Sequence, residues 1–174
     1  MKLSLQAHPA APPRSVASVQ CTLRRDGDRL ALRYAIVCEE GALRLPPMSP
    51  AARTDGLWQT TCLELFIAGE GSAYREFNFA PSGQWAAYSF AARREGMAPL
   101  AMPEPPSTGL EQAGRTTMLS VRLPGVGIGA LSLSLAAVIE ETDGTKSYWA
   151  LHHGSDAPDF HDPDCFVCEL PPAD

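Results

Sequence analysis

Several things that this sequence lacks narrow its class. No stretch approaches the roughly 20 apolar residues of a membrane-spanning helix. No segment keeps a 3.6-residue apolar period over the ~10–12 residues that a major helix needs. Basic residues are in the minority: 14 Lys and Arg stand against 20 Asp and Glu, for a net charge of -6. That is the wrong sign for a surface that grips a phosphate backbone, so nucleic acid is not an expected partner. There is no G-x-S-x-G elbow, no phosphate-binding loop and no His-Glu-x-x-His helix, and catalysis is not expected. Internal repeats and low-complexity tracts are also missing. The opening "MKLSLQAHPAAPP" breaks its short apolar stretch with Gln6, His8 and Pro9, unlike a secretory signal, and the expectation is a cytoplasmic protein.

What is present fits a globular protein. With 174 residues, 45% hydrophobic and 20% charged, the chain is expected to form one domain over residues 1–174 with a core that needs no staples. The five cysteines, Cys21, Cys38, Cys62, Cys165 and Cys168, are odd in number and lie in apolar, strand-like contexts. They read as reduced, buried thiols. Cys165 and Cys168 are three apart, which in a strand sends them to opposite faces. No second pair completes a zinc ribbon.

Alternation of apolar and polar residues recurs along the chain. "VASVQCTLRR" and "RLALRYAIVC" flank an Asp-Gly turn and should pair as a hairpin. After the proline-rich "LPPMSPAARTDG" come three strands within residues 57–90. A second proline-rich loop, "EGMAPLAMPEPPSTG", follows, then "RTTMLSVRLP", "ALSLSLAAVIEE", "KSYWALHH" and "CFVCEL". About eight short antiparallel strands in a chain of this length predict an all-β, two-sheet antiparallel β-sandwich of the jelly-roll type. Its exposed sheet edges make a homodimer possible.

Side-chain parity then assigns faces. In "WQTTCLELFI" the residues Leu63, Leu65 and Ile67 share one face, and Trp58, Cys62, Glu64 and Phe66 the other. A five-residue "GEGSA" loop sets Leu65 opposite Phe77 and Glu64 opposite Asn78, whereas a loop one residue longer would set leucine against glutamate. For the next hairpin, a two- or four-residue loop in "APSGQW" brings Ala80 opposite Trp85. Phe77, Phe79, Tyr88 and Phe90 would then enter the core, and Glu76, Asn78, Trp85 and Ser89 would face outward. One surface would carry Trp58, Glu64, Glu76, Asn78 and Trp85. Carboxylates and amides pair with sugar hydroxyls and indole rings stack on sugar C–H patches, so these five are the candidate ligand-binding residues, with a small polar molecule as partner. Leu131, Leu133 and Leu135 should point inward, leaving small Ser132 and Ser134 on the other face.

His152, His153 and His161 sit near Asp156, Asp159, Asp162 and Asp164 in a loop. They are candidate ligands for a transition metal, and the loop oxygens for calcium, either of which could serve a metal-dependent enzyme; an ordinary Asp-rich connector is the alternative. "LWQTTCLELFI", "YREFNFAPSGQWAAYSF", "REGM" and "YWALHHGSDAPDFHDPDCFVCEL" resemble the bacterial DOMON-like proteins, relatives of the family 9 carbohydrate-binding modules. The resemblance runs from about residue 16 onward and implies the same jelly-roll fold. It also implies binding of a sugar or of haem, with sugar clasped between aromatic rings and structural calcium nearby. Trp58 and Glu64 match the family's Trp-x-x-x-x-x-Glu strand, and Asn78 and Trp85 match the strands that follow. In a chain without a secretion signal a cytoplasmic sugar or sugar conjugate fits better than an extracellular polysaccharide. A haem would be non-covalent, with axial ligands among His152, His153, His161, Met97 and Met102.

Overall fold

The computed structural model describes residues 1–173. Twelve strands form among them: β1 (Lys2–Ala7), β2 (Val16–Asp26), β3 (Arg29–Cys38), β4 (Cys62–Ala68), β5 (Tyr74–Phe79), β6 (Trp85–Phe90), β7 (Ala98–Pro99), β8 (Ser107–Ala113), β9 (Thr116–Leu123), β10 (Leu131–Glu140), β11 (Lys146–Ala150) and β12 (Cys168–Leu170). The helical content described is two single 3-10 turns, Leu57–Gln59 and Pro163–Cys165. No helix among these residues is long and apolar enough to cross a membrane.

The all-β antiparallel expectation holds. The strands follow one path, β7-β6-β5-β4-β10-β11-β1-β2-β3-β9-β8, with β12 added beside β10. β1 joins the two halves: Leu3 pairs with Cys21 of β2, and Gln6 pairs with Ala150 of β11. The sheet curls so that both halves supply one core, with Val19, Leu32, Tyr34 and Leu119 from one half and Leu65, Phe77, Leu133 and Trp149 from the other. Tyr34 ties them, its hydroxyl donating 2.9 Å to the carbonyl of Glu64.

The Asp-Gly hairpin forms as expected, with Asp26 opposite Arg29 and Gly27 at φ 57° in the two-residue turn. Three strands escape the sequence pattern, among them the two-residue β7, which lies inside the expected proline-rich loop. β1 falls in a stretch that reads only as a broken apolar run. β8 is an edge strand so exposed that "STGLEQA" carries no apolar face to alternate; its first three residues fall in the expected proline-rich loop.

β4 and β5 pair in the expected register, Leu65 opposite Phe77 and Glu64 opposite Asn78. β5 and β6 do not. Phe79, not Ala80, lies opposite Trp85, Asn78 faces Ala86, and Glu76 faces Tyr88. The turn decides this: residues 80–84 form a five-residue loop closed by Ala80 N–H donating to the Gln84 carbonyl at 3.0 Å, with Gly83 at φ 96°. The one-residue shift turns Trp85 and Ala87 into the main core and sends Tyr88 and Phe90 to the opposite face. Trp85 is 6% exposed, with the Arg53 guanidinium 4.7 Å from its ring centre. Trp85→Ala should therefore lower the unfolding free energy by about 3–5 kcal/mol, as for other buried tryptophans, and urea denaturation measures it; a loss below about 1 kcal/mol is incompatible with a core position.

Candidate ligand-binding site

β4, β5 and β6 are buried on both faces. Their second face carries Cys62, Glu64 and Phe66, then Tyr74, Glu76 and Asn78, then Ala86, Tyr88 and Phe90. β10 continues it with Ala136, opposite Glu64, and Val138. Phe160 and the 3-10 residue Leu57 cover part of this face. What stays open is a hollow of about 840 Å³, within the range of small-ligand pockets. Glu64, Glu76, Tyr88, Phe90 and Val138 form its floor; Trp58, Arg94, Met97, Tyr148, Phe160 and His161 are among its walls.

Four of the five predicted residues gather here. Trp58 stands on the 3-10 turn before β4 rather than on the strand, 54% exposed at the rim. Glu64 and Glu76 are buried at the floor. Asn78 is fully buried behind them and donates through Nδ2 to Glu76 Oε1 at 2.8 Å, while its Oδ1 has no partner. Trp85 is the correction: the register that puts it in the core removes it from this surface. Leu131, Leu133 and Leu135 do point into the main core. Ser134 is fully buried opposite Phe66 and does not line the hollow, to which β10 contributes Val138.

The three histidines do not converge. His161 lines the hollow, His152 is exposed, and His153 accompanies His8 edge-to-face at 4.7 Å with Nε2 2.9 Å from the Gln6 carbonyl. Among the described residues no group of three His, Cys, Asp or Glu is placed to hold a metal ion. Of the methionines named for haem, Met97 borders the hollow and Met102 packs against the main core. All five cysteines are free and buried.

The site's electrostatics follow from its burial. Glu64 is pushed well above the ordinary carboxylate range, first by burial and then by the charge of Glu76, with Arg94 pulling the other way. Glu76 is raised by burial, offset by the Asn78 amide and Arg94. His161 is lowered to about 4 by burial and by Arg94. The Tyr74 hydroxyl accepts the Arg94 backbone N–H at 3.1 Å and lies 2.7 Å from His161 Nδ1. Donating to that nitrogen, it leaves the histidine proton on Nε2, which is 3.9 Å from Glu76 Oε2. Arg94 itself takes φ 57°, a left-handed conformation uncommon for a residue with a Cβ, at the tip of the turn after β6. Asp159 holds both Arg94, at 2.8 Å, and Arg93, at 2.6 Å.

Arg94, Tyr88, Tyr148 and Phe160 are site residues that the sequence reading missed, and Met97 entered it only as a haem-ligand candidate. The arginine and the methionine sit in a turn and loop with no periodic signal, although "REGM" belongs to the resembling motifs. Tyr88 was lost to the register shift.

No protein-family model and no curated protein matches the chain. Solved structures do. A presumed carbohydrate-binding protein from Bacteroides uniformis superposes with a TM-score of 0.72 at 15% identity, covering 95% of this chain and 84% of that one. A family 9 carbohydrate-binding module from Caldicellulosiruptor kristjanssonii, in complex with cellotriose, gives 0.54 at 8% identity over 95% of this chain and 80% of that one. The glucose complex of a family 9 module from the same organism gives 0.51 at 8% identity, over 95% and 82%. At these identities the likeness establishes the shared fold.

The shifted groups make stability depend on pH in opposing ways. The folded chain keeps protons on Glu64 and Glu76 that the unfolded chain releases near the ordinary glutamate value of 4.5, so this contribution is lost as pH rises above that value. His161 binds its proton near 6.5 unfolded but only near 4 folded, so its contribution is lost as pH falls through that interval. Glu64→Gln should abolish most of the first dependence and raise the unfolding free energy at about pH 8 by about 1–3 kcal/mol. Urea titrations at about pH 5 and pH 8 measure both effects, and a variant less stable than the parent at the higher pH contradicts a buried, unpaired carboxyl.

Proposed function

We propose that the chain is a non-catalytic carbohydrate-binding domain, a single unit over residues 1–174 of the jelly-roll β-sandwich type. Its ligand occupies the hollow on the second face of β4, β5 and β6. The observation that carries this reading is one aromatic ring at the rim set above acids at the floor: Trp58, 54% exposed, with Glu64 and Glu76 sunk below it. A sugar presents the matching surfaces, a flat C–H patch for the indole and a ring of hydroxyls for the carboxyls and Arg94. Tyr88, Phe90, Tyr148 and Phe160 supply the apolar remainder of the enclosure.

The fold comparison supports the reading by analogy, since two of the structures sharing this fold hold cellotriose or glucose. The free cysteines suit a reducing compartment, and a cytoplasmic sugar or sugar conjugate is the proposed ligand, in line with the DOMON-like resemblance. A second hollow of about 660 Å³ adjoins the first and shares Trp58, Gln59 and Tyr148 with it. That adjacency leaves space for a ligand to pass over Trp58 in either direction.

Titration with a panel of mono- and oligosaccharides, followed by tryptophan fluorescence, should give a saturable change for at least one sugar. Trp58→Ala should weaken that binding by about 1–2 kcal/mol, roughly five- to thirtyfold. A silent panel, confirmed by calorimetry, or full affinity in the Trp58 variant, sinks the proposal.

A further inference from the structure

The charges around the hollow are unevenly matched. Arg93 and Arg94 are both held by Asp159, and Arg93 also reaches Asp162 at 3.0 Å, so two cations already meet two anions. The Tyr88 hydroxyl donates to Asp55 at 2.6 Å, and Asn78 serves Glu76. Glu64 is different. It is 3% exposed, it lines the hollow, and among the described residues no hydrogen bond reaches its carboxyl. The neighbouring titratable groups do not supply one. Tyr34 spends its hydroxyl on the Glu64 backbone carbonyl, Tyr74 is engaged with His161, and the Cys62 thiol is buried and held protonated by that burial. His161 turns toward Glu76 and carries no charge at neutral pH. Lys146, on β11, is tied to the Gln59 carbonyl at 2.6 Å and borders the adjoining hollow instead.

A buried acid without a hydrogen bond lies beside a second acid, and aromatic side chains border them: Tyr88 and Phe90 at the floor, Trp58, Tyr148 and Phe160 at the walls. Carboxyls and aromatic rings together suit an ammonium group, since its N–H bonds go to the acids and its charge to π faces. A neutral hydroxyl satisfies the second acid less well, because it leaves two carboxyls competing for one proton.

We propose that the hollow is built for an amine-bearing sugar, whose ammonium group docks against Glu64 and Glu76. This rests on the carbohydrate-binding reading and narrows it to a class of sugar. On binding, the proton that Glu64 and Glu76 retain passes to solvent and the ammonium takes its place. Affinity for the amine therefore strengthens as pH rises from about 5 to about 7, while affinity for a neutral sugar does not.

The test compares D-glucosamine, D-glucose and N-acetyl-D-glucosamine, which differ at one substituent, by calorimetry on the full chain. Glucosamine should bind about tenfold tighter than either of the others, the gain expected of a charge-assisted bond over a neutral one. Glu64→Gln should bring the ratio of glucosamine to glucose affinity close to one. In the unmodified chain the glucosamine affinity should also rise between about pH 5 and pH 7, a measurement that needs no variant. Equal or tighter binding of glucose or the N-acetyl sugar, or a glucosamine affinity flat in pH, overturns the amine assignment and leaves the carbohydrate reading standing. No response to these three sugars or to the wider panel overturns both.

Discussion

The hollow depends on one constraint, that β4 and β5 are covered on both faces. A strand buried on one side fixes its register by keeping apolar residues away from water. Here the first face is the shared core of the curled sheet, with Leu63, Leu65, Phe77 and Phe79 nearly solvent-free. That packing is tight enough to hold the opposite side chains in place, and Tyr34 secures the backbone beneath Glu64 from across the core. The second face can then carry groups that would be unfavourable elsewhere, since their positions are set by the residues behind them.

Two buried carboxyls are such groups. Burying an unpaired charge costs several kcal/mol, and the chain lowers that cost in three ways. The acids keep protons, Asn78 serves one of them, and Arg94 lies close enough to moderate both. The left-handed backbone of Arg94 and its clamp to Asp159 look costly taken alone. They belong to one arrangement with Tyr74 and His161, in which a single hydroxyl accepts the Arg94 N–H and orients the imidazole. The arrangement leaves two groups without a partner, the Glu64 carboxyl and the Asn78 Oδ1 across from it. Natural structures pair their buried polar atoms almost everywhere, so an unpaired acid in an open hollow points to a partner from outside the chain.

Parts of this were legible from the residues alone, for physical reasons that can be named. β4 against β5 was readable because leucine, phenylalanine and isoleucine alternate with glutamate and asparagine, and a slip of one residue would bury acid against leucine. β6 was not, because "WAAYSF" is apolar on both faces and hydrophobic pattern has no preference between them. The five-residue turn with its left-handed Gly83 chose instead, moving Trp85 inward and Tyr88 and Phe90 outward. The two acids, the amide and Trp58 were found from types and spacing. Arg94 and Phe160 were not, since loop residues have no period to betray where they project. Likewise, the histidines adjoin in sequence but separate in space, His153 toward β1 and His161 toward β5.

The floor and the walls of the hollow are therefore made by different means, and this bears on how specificity could change within the fold. The floor is strand, with hydrogen bonds on both edges of β4 and β5, and any replacement there must satisfy the core behind it. The walls come from the segment around Trp58, from the turn bearing Arg94 and Met97, and from the loop bearing Phe160 and His161. They are held by a few side-chain links, chiefly Arg93 and Arg94 to Asp159 and Tyr74 to His161. Such links can be exchanged without disturbing a ladder. The acids at the floor would then set the chemical group that the hollow accepts, and the rings and arginine of the walls would set the size and shape of what carries it.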